Sequence, residues 1–458
     1  MEQSSGSRAQ QRSVAGPILA VLIGTLLAAC GSAAPVFGHE RGVAAVTPAA
    51  ASNPQLEAAK PLGVPAGATP APTPAAGGDI SPTATPAPSP LPLPTAAATS
   101  TLLAGSCPLS PATASTAATS PLLVVDTPDA SGDYDLSLLN ADGGAVATAV
   151  MPSSAEWSVV AGIGGAYWIE GGELCLLAPS SAVTSVGPVP SGVDQVVIAP
   201  DGSAYAYATQ ASGTDPEQSV NSIWVQEIGG TASVVAQRVS DPSAVSADAP
   251  AGGWMYGLID WTSQGILLRR EATSGCGCGP FDMEMLAGYS ALFDPSAGAT
   301  TDLTADNSCP LSGLGPAAVA ACFHAASGGG GDDGLEILDG GNLATEFSLS
   351  GLNLGADAVF SPDGGTLAYA TVPATAAGCG TDWQAQTTVQ ILDLQSGTVV
   401  ATAASGVQPS VWTAGGTIYG TETADDGALS AVSIDPVSGA VTVLWTGASG
   451  ARLIGVDQ

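Results

Sequence analysis

From Leu122 onward the chain is written in short apolar runs divided by turns, and the clearest case is Val359-Phe360-Ser361-Pro362-Asp363-Gly364-Gly365-Thr366-Leu367-Ala368-Tyr369-Ala370-Thr371. It predicts strand, tight turn, strand. Pro362 sets φ at the first corner, the Asp363 carboxylate accepts from the backbone two residues on, and Gly364 and Gly365 are expected at positive φ. After the turn, Leu367, Tyr369 and Thr371 alternate with Ala368, Ala370 and Val372, so both faces are apolar or small. A strand covered by sheets on both faces carries that pattern. Val196-Val197-Ile198-Ala199-Pro200-Asp201-Gly202-Ser203-Ala204-Tyr205-Ala206-Tyr207-Ala208 is a second copy.

Weaker copies recur at the period of a propeller blade, roughly 40 to 50 residues. Leu122 to Val150 supplies three strands, through Asp133-Tyr134-Asp135-Leu136 and the turn Asn140-Ala141-Asp142-Gly143-Gly144. Trp157 to Val189, Val193 to Val239 and Trp254 to Leu303 each supply about four more. A glycine-broken set spans Leu311 to Leu349, a strong one Ala356 to Ala403, and a last one Ser410 to Trp445. The first set lacks an inner strand, and the chain ends in Ala451-Arg452-Leu453-Ile454-Gly455-Val456-Asp457. A strand there completes the first blade and closes the ring, leaving no exposed edge. The expected fold is therefore all-β, a β-propeller over 121–458 of four-stranded blades. The units number seven, with six or eight left open by the region around Cys309 to Cys322.

Composition agrees, since glycine and proline are abundant in the 458 residues and charged residues make up only 10%. The first 120 residues differ. Arg8 and Arg12 precede an apolar run from Val14 to Leu27, broken by Gly16, Pro17 and Gly24, and then Leu27-Ala28-Ala29-Cys30. The run is too short and broken to span a bilayer comfortably, and it reads as an export signal over 1–29. Leu-Ala-Ala-Cys resembles a bacterial lipobox, the alternative being an ordinary secretory signal. The resemblance implies that Cys30 receives a diacylglyceryl group, that the mature chain starts there, and that acyl chains hold it on the outer side of a membrane. In a cell with two membranes, Gly31 offers no aspartate to retain it on the inner one, so the anchor lies on the outer face of the plasma membrane or on an outer membrane. Residues 30–120 read as a tether rich in Pro, Ala and Thr, unable to bury enough surface to offset chain entropy. Proline-rich chain extends about 3.1 Å per residue, so the tether reaches at most about 280 Å.

Two stretches resemble a known family. Ser361-Pro362-Asp363-Gly364 with Leu367-Ala368-Tyr369, and Asp133-Tyr134-Asp135-Leu136 leading into Asn140-Ala141-Asp142-Gly143-Gly144, are similar to the TolB-type, WD-like propeller repeat. The resemblance implies a propeller over about 122–458 and names no partner, because the fold serves many functions.

Catalytic constellations are scarce. There is no Gly-x-Ser-x-Gly elbow, and His324 is the one histidine after the tether, which argues against a triad or a multi-histidine metal site. Ser361, Asp363 and Gly365 partly match a sialidase-type turn, but Ala368 stands where that turn needs an aromatic. Two carboxylates acting on a glycan remain open. Asp129-Asp133-Asp135, Asp332-Asp333 and Asp425-Asp426 lack calcium-loop spacing and read as solvated turns. No catalytic residue, metal ligand or cofactor is assigned.

Charge and cysteine narrow the partners. The propeller region holds Arg238, Arg269, Arg270 and Arg452 against nearly all of the acidic residues, in a chain of net charge −32. That field disfavours nucleic acid and anionic lipid surface and favours basic proteins or cationic ligands, although acidity also serves solubility alone. With Cys30 acylated, Cys107, Cys175, Cys276, Cys278, Cys309, Cys322 and Cys379 remain. Cys309 and Cys322 flank a short loop and form the expected disulfide; Cys276-Gly277-Cys278 is expected to pair with Cys379 or Cys309, a metal or redox role being the alternative. The reading is a lipid-anchored, extracytoplasmic propeller that binds an envelope protein or cationic ligand. A glycan or peptide hydrolase or lyase is the alternative, and a purely structural component the third possibility. The expected contact surface is a rim of loops, Arg269 to Asp282 and Thr375 to Gln386, carrying Arg269, Arg270, Asp382 and Trp383.

Overall fold

The computed structural model describes Cys107, Ala118 and residues 120–457, apart from 194, 213–218, 241–253, 273–289, 305–308, 310, 325–333, 349–352, 374–382 and 425–426. Each repeat becomes a four-stranded antiparallel sheet, and the sheets form a seven-bladed propeller. Blade 1 orders β28 (Arg452–Asp457), β1 (Leu122–Pro128), β2 (Tyr134–Asn140) and β3 (Ala145–Met151) from the centre outward. Blade 2 has β4 (Val160–Gly162), β5 (Gly165–Glu170), β6 (Glu173–Leu177) and β7 (Val183–Pro188). Blade 3 has β8 (Val196–Ile198), β9 (Ala204–Ser212), β10 (Ser219–Glu227) and β11 (Ala232–Ser240). Blade 4 has β12 (Trp254–Thr262), β13 (Gly265–Ala272), β14 (Ser290–Asp294) and β15 (Ala299–Asp302). Blade 5 has β16 (Leu311–Leu314), β17 (Val319–His324), β18 (Gly334–Asp339) and β19 (Asn342–Ser348). Blade 6 has β20 (Asn353–Phe360), β21 (Thr366–Pro373), β22 (Thr388–Asp393) and β23 (Thr398–Thr402), with a helical turn α1 (Trp383–Gln386) before β22. Blade 7 has β24 (Val407–Trp412), β25 (Ile418–Thr423), β26 (Ala428–Ile434) and β27 (Val441–Ser449).

Apolar residues on both strand faces make sense in this arrangement. Leu122 and Val124 pack toward blade 2 against Trp168 and Leu177, while Leu123 and Val125 turn to blade 7 against Tyr419 and Ala431. Each adjacent pair of blades is joined by its own cluster, so the core is a set of wedges. Phe323 of blade 5 meets Tyr369 of blade 6 with centroids 5.6 Å apart. Leu367, Ala368, Tyr369 and Ala370 are all buried, as their alternation predicts. Each such large side chain contributes about 1.5–3 kcal/mol through burial.

The turn aspartates do what their spacing requires. Gly364 N–H donates to Ser361 O at 2.8 Å, while Gly365 N–H and the Ser361 hydroxyl donate to Asp363 Oδ1 at 3.0 and 2.7 Å. Gly364 has φ of 71°, whereas Gly365, expected to share that conformation, lies outside it. Asp201 takes the Ser203 hydroxyl at 2.6 Å and Asp129 the Ser131 hydroxyl at 2.7 Å. These hydrogen bonds hold both carboxyls below their ordinary range. Such aspartates belong to turn construction.

The ring closes as the C-terminal residues predict. β28 pairs antiparallel with β1, Leu122 opposite Asp457 and Asp126 opposite Arg452. The Arg452 guanidinium donates to both oxygens of the fully buried Asp126 carboxylate, and its Nη2 also donates to Glu156 O at 2.9 Å. It stands 5.5 Å from the centre of the Tyr134 ring. Burial opposes its charge, but Asp126 and Glu156 outweigh that and raise its pKa further. A second fastening precedes β1: Cys107, within the expected tether, is disulfide-bonded to Cys175 of β6 across 68 residues.

Asp126→Ala leaves Arg452 with Glu156 alone and is expected to lower unfolding free energy by about 1.5–3 kcal/mol in urea titration. Asp126→Leu combined with Arg452→Met is expected to lose less; an equal loss would show that the charge left behind is not the cause. Cys107→Ser is expected to cost on the order of 4 kcal/mol in the same assay, from the loop its bond closes. An unchanged midpoint would show that the segment before β1 takes no part in the fold's stability.

Candidate functional site

The innermost strands share a feature that alternation does not reveal. In five blades the innermost strand is interrupted where one or two residues drop out of register: Ile259 in β12, Ser312 in β16, Asp357 and Ala358 in β20, Ser410 in β24 and Ile454 in β28. A bulge leaves its extra residue unpaired and re-aims its side chain. Here the bulges fall where neighbouring innermost strands meet, as β16 does β20, β20 does β24 and β24 does β28. They shape two cavities along the channel wall.

One cavity, of about 470 Å³, lies among blades 5, 6, 7 and 1 and is lined by Ser312, Asp357, Gln408, Ser410, Arg452 and Leu453 among others. The second, about 410 Å³, extends toward blade 4 and takes in Asp260, Arg269, Leu314 and Trp412. Ser312, Ala358, Val359 and Ser410 line both, so the two are lobes of one depression. Each lobe carries one aspartate and one arginine. Its remaining walls mix hydroxyls with apolar side chains.

Backbone geometry holds this wall in place. Asp357 has φ of 50°, a left-handed conformation that a β-branched or bulky residue resists and that aspartate tolerates better than most. The Ser312 hydroxyl accepts from Ala358 N–H at 3.1 Å and ties the bulges of blades 5 and 6 together. Gly313 permits the approach, because a Cβ there would lie 2.2 Å from Ala358 O. Strained non-glycine backbone of this kind collects at ligand sites.

The charges are not equivalent. Arg452 is engaged by Asp126 and Glu156, so its guanidinium serves closure first. Asp260 stands exposed to the channel, yet protein surrounds it on most sides; desolvation pushes its carboxyl above the ordinary range, opposed by the Trp261 N–H donated at 2.7 Å. A carboxyl raised in this way is still acid where an open one is ionised.

The expected rim is redistributed. Arg269 and Arg270 lie within β13, which runs to Ala272, so they are strand residues where a loop was expected. Arg269 lines the second lobe; the Arg270 side chain, Cys30, Asp382, Cys276, Cys278 and Cys379 lie outside the described residues. Trp383 begins α1 and packs on the cluster of Ala356, Ala370 and Val372 of its own blade, lining neither lobe. Cys309 and Cys322 are disulfide-bonded, Cα atoms 5.3 Å apart, which removes Cys309 as a partner for Cys276 or Cys278. His324 ends β17 beside Glu336 and also lines neither lobe. Asp260, Ser312, Asp357 and Ser410 were missed from sequence, and their one legible signal was position, once per unit on the first strand.

No protein-family model matches the sequence, and no curated protein matches it. Among solved structures the chain is similar to one from Kuenenia stuttgartiensis hydrazine synthase, at 13% identity and TM-score 0.36, covering 60% of this chain and 76% of that one. An oligogalacturonate lyase in complex with manganese gives 12% identity and TM-score 0.40 over 70% of this chain and 84% of that one. A prolyl endopeptidase gives 12% identity and TM-score 0.42 over 72% of this chain and 50% of that one. These likenesses are distant, and nothing about this chain's ligand follows from them.

Proposed function

We propose that this chain is a lipid-anchored propeller on the outer side of a membrane that binds an envelope protein or other cationic ligand at the two-lobed channel site. The anchoring part rests on the lipobox-like Leu27-Ala28-Ala29-Cys30 and the tether after it. The observation that carries the binding part is the placement of the two aspartates, Asp260 in one lobe and Asp357 in the other. One carboxylate in each lobe suits recognition of a basic group there. The chain's acidity steers cationic partners toward the ring. Ser312, Ser410 and Gln408 add hydrogen bonding, and Trp412 with Leu314 offers apolar surface for the stem of a lysine or arginine. Residues that bind loosely exposed groups on a rigid ring act by complementarity and steering, and most of the specificity then lies in charge placement.

The hydrolase or lyase reading is favoured by one observation, the raised Asp260 carboxyl, since a proton held at higher pH is what a general acid needs. Its partner in catalysis would have to be Asp357 across the shared wall.

Both readings are separable on the full chain. Capture of detergent-solubilised envelope proteins is expected to yield a stoichiometric partner that dissociates in high salt, and Asp357→Asn is expected to weaken it at least tenfold. Its retention is expected to fall on acidification earlier than an open carboxylate predicts, because Asp260 takes up its proton at higher pH, and Asp260→Asn is expected to remove that step. Glycan or peptide turnover that Asp260→Asn abolishes would instead establish the enzyme. For the anchor, Cys30→Ala is expected to abolish incorporation of labelled palmitate and to move the chain from the membrane to the soluble fraction; continued labelling would overturn it.

A further inference from the structure

The side chains around the blade 5 disulfide form a second constellation, which the channel site does not use. Cys322 and His324 are two residues apart on β17 and so share a face, and Glu336 of β18 lies directly opposite Cys322. Gly334 lies opposite His324, where any Cβ would meet the imidazole at 2.0 Å; glycine is what lets the ring lie over β18. His324 Nδ1 comes within 3.4 Å of Glu336 Oε1, yet the atom is buried and lacks a hydrogen bond of proper geometry. Buried polar atoms are seldom left so. Cys309 Sγ, a His324 ring nitrogen and a Glu336 carboxylate oxygen lie within 4.8 Å of one another. Ligand atoms around tetrahedral zinc stand about 3.3–3.8 Å apart, so the group is close to a coordination shell. What it lacks is thiolate, because both sulfurs are spent in the disulfide.

We propose that reduction of the Cys309–Cys322 disulfide converts this cluster into a four-ligand site for a borderline-soft divalent cation, with zinc as the best match. A dithiol reductant gives two electrons and two protons, the S–S bond breaks, two thiols form, and the reductant leaves as its own disulfide. Zinc then displaces both thiol protons and binds two thiolates, a neutral imidazole and a carboxylate. The Cα separation of 5.3 Å lets both sulfurs reach one ion. Cys309 and Cys322 are buried at 5% and 0% exposure, whereas the His324 and Glu336 side chains are 27% and 25% exposed. An ion therefore enters from the histidine and glutamate side; a disulfide oxidant, accepting the two electrons of the thiolates and two protons from solvent to become a dithiol, restores the S–S bond and expels it.

The test is a Co²⁺ titration of the full chain, dithiol-reduced and oxidised in parallel, with cobalt as a spectroscopic substitute for zinc. The reduced protein is expected to develop thiolate-to-cobalt charge-transfer and tetrahedral d–d bands at one equivalent, displaced by Zn²⁺, and the oxidised protein to show neither. Cys309→Ser with Cys322→Ser keeps every other cysteine and is expected to abolish the bands. His324→Ala and Glu336→Gln are expected each to weaken binding at least tenfold while the oxidised variants melt with the parent. Bands that persist in the double cysteine variant would place the metal elsewhere and overturn the site. A reduced parent without bands would do the same. If the double variant does not fold, unchanged cobalt affinity in the histidine and glutamate variants is enough to reject the proposal.

Discussion

The structure depends on one contact between distant parts of the chain, the pairing of β28 with β1 and the Arg452–Asp126 clasp within it. Without it blade 1 would present a bare edge of unpaired backbone groups, and the ring would be an open arc. The ion pair is not an efficient way to gain free energy, since desolvating two charges offsets most of their attraction. Its value is in register. Arg452 meets Asp126 only if Asp457 falls opposite Leu122, and a slip of one residue would turn Leu453 and Val456 to the wrong side.

Given closure, stability is held locally. Each blade presents two apolar faces to two neighbours, so each inter-blade wedge of core is shared by one pair of blades, as Phe323 and Tyr369 are by blades 5 and 6. Such nearest-neighbour construction tolerates a weakened repeat, because the adjoining blades bury its faces. Blade 5 illustrates this. Its sequence is interrupted by glycine, yet it forms four strands, helped by a disulfide that fastens Cys309 to β17.

How much of this the residues announced follows from which forces are local. Turn chemistry is local, so Pro362-Asp363-Gly364 and Pro200-Asp201-Gly202 mark their hairpins without any knowledge of the ring. Two-faced alternation is nearly as legible, and with the incomplete first unit it implied seven blades and the closing strand. The site was not legible, because it is made by register. Ser312 and Ser410 look like ordinary strand serines until their bulges are seen, and Asp357 gives no sign of its left-handed backbone. Arg269 and Arg270 were misread as loop residues because their charge and the Cys-Gly-Cys after them resemble a surface insertion, although β13 continues beneath them. Trp383 followed the commoner course for an indole and packed on its own blade.

Closure and the channel site meet in one residue. Arg452 clamps Asp126 and also lines the larger lobe, one residue before Leu453, which lines it too. Ile454, the residue left unpaired by the bulge in β28, lies one position further on. β28 thus supplies part of the wall of the larger lobe, which is complete only in the closed ring, whereas the second lobe is lined by blades 4 to 7. Any ligand held by Arg452 and Leu453 would favour the closed form by mass action. The same linkage runs in reverse, because loosening β28 opens blade 1 and removes part of that lobe's wall.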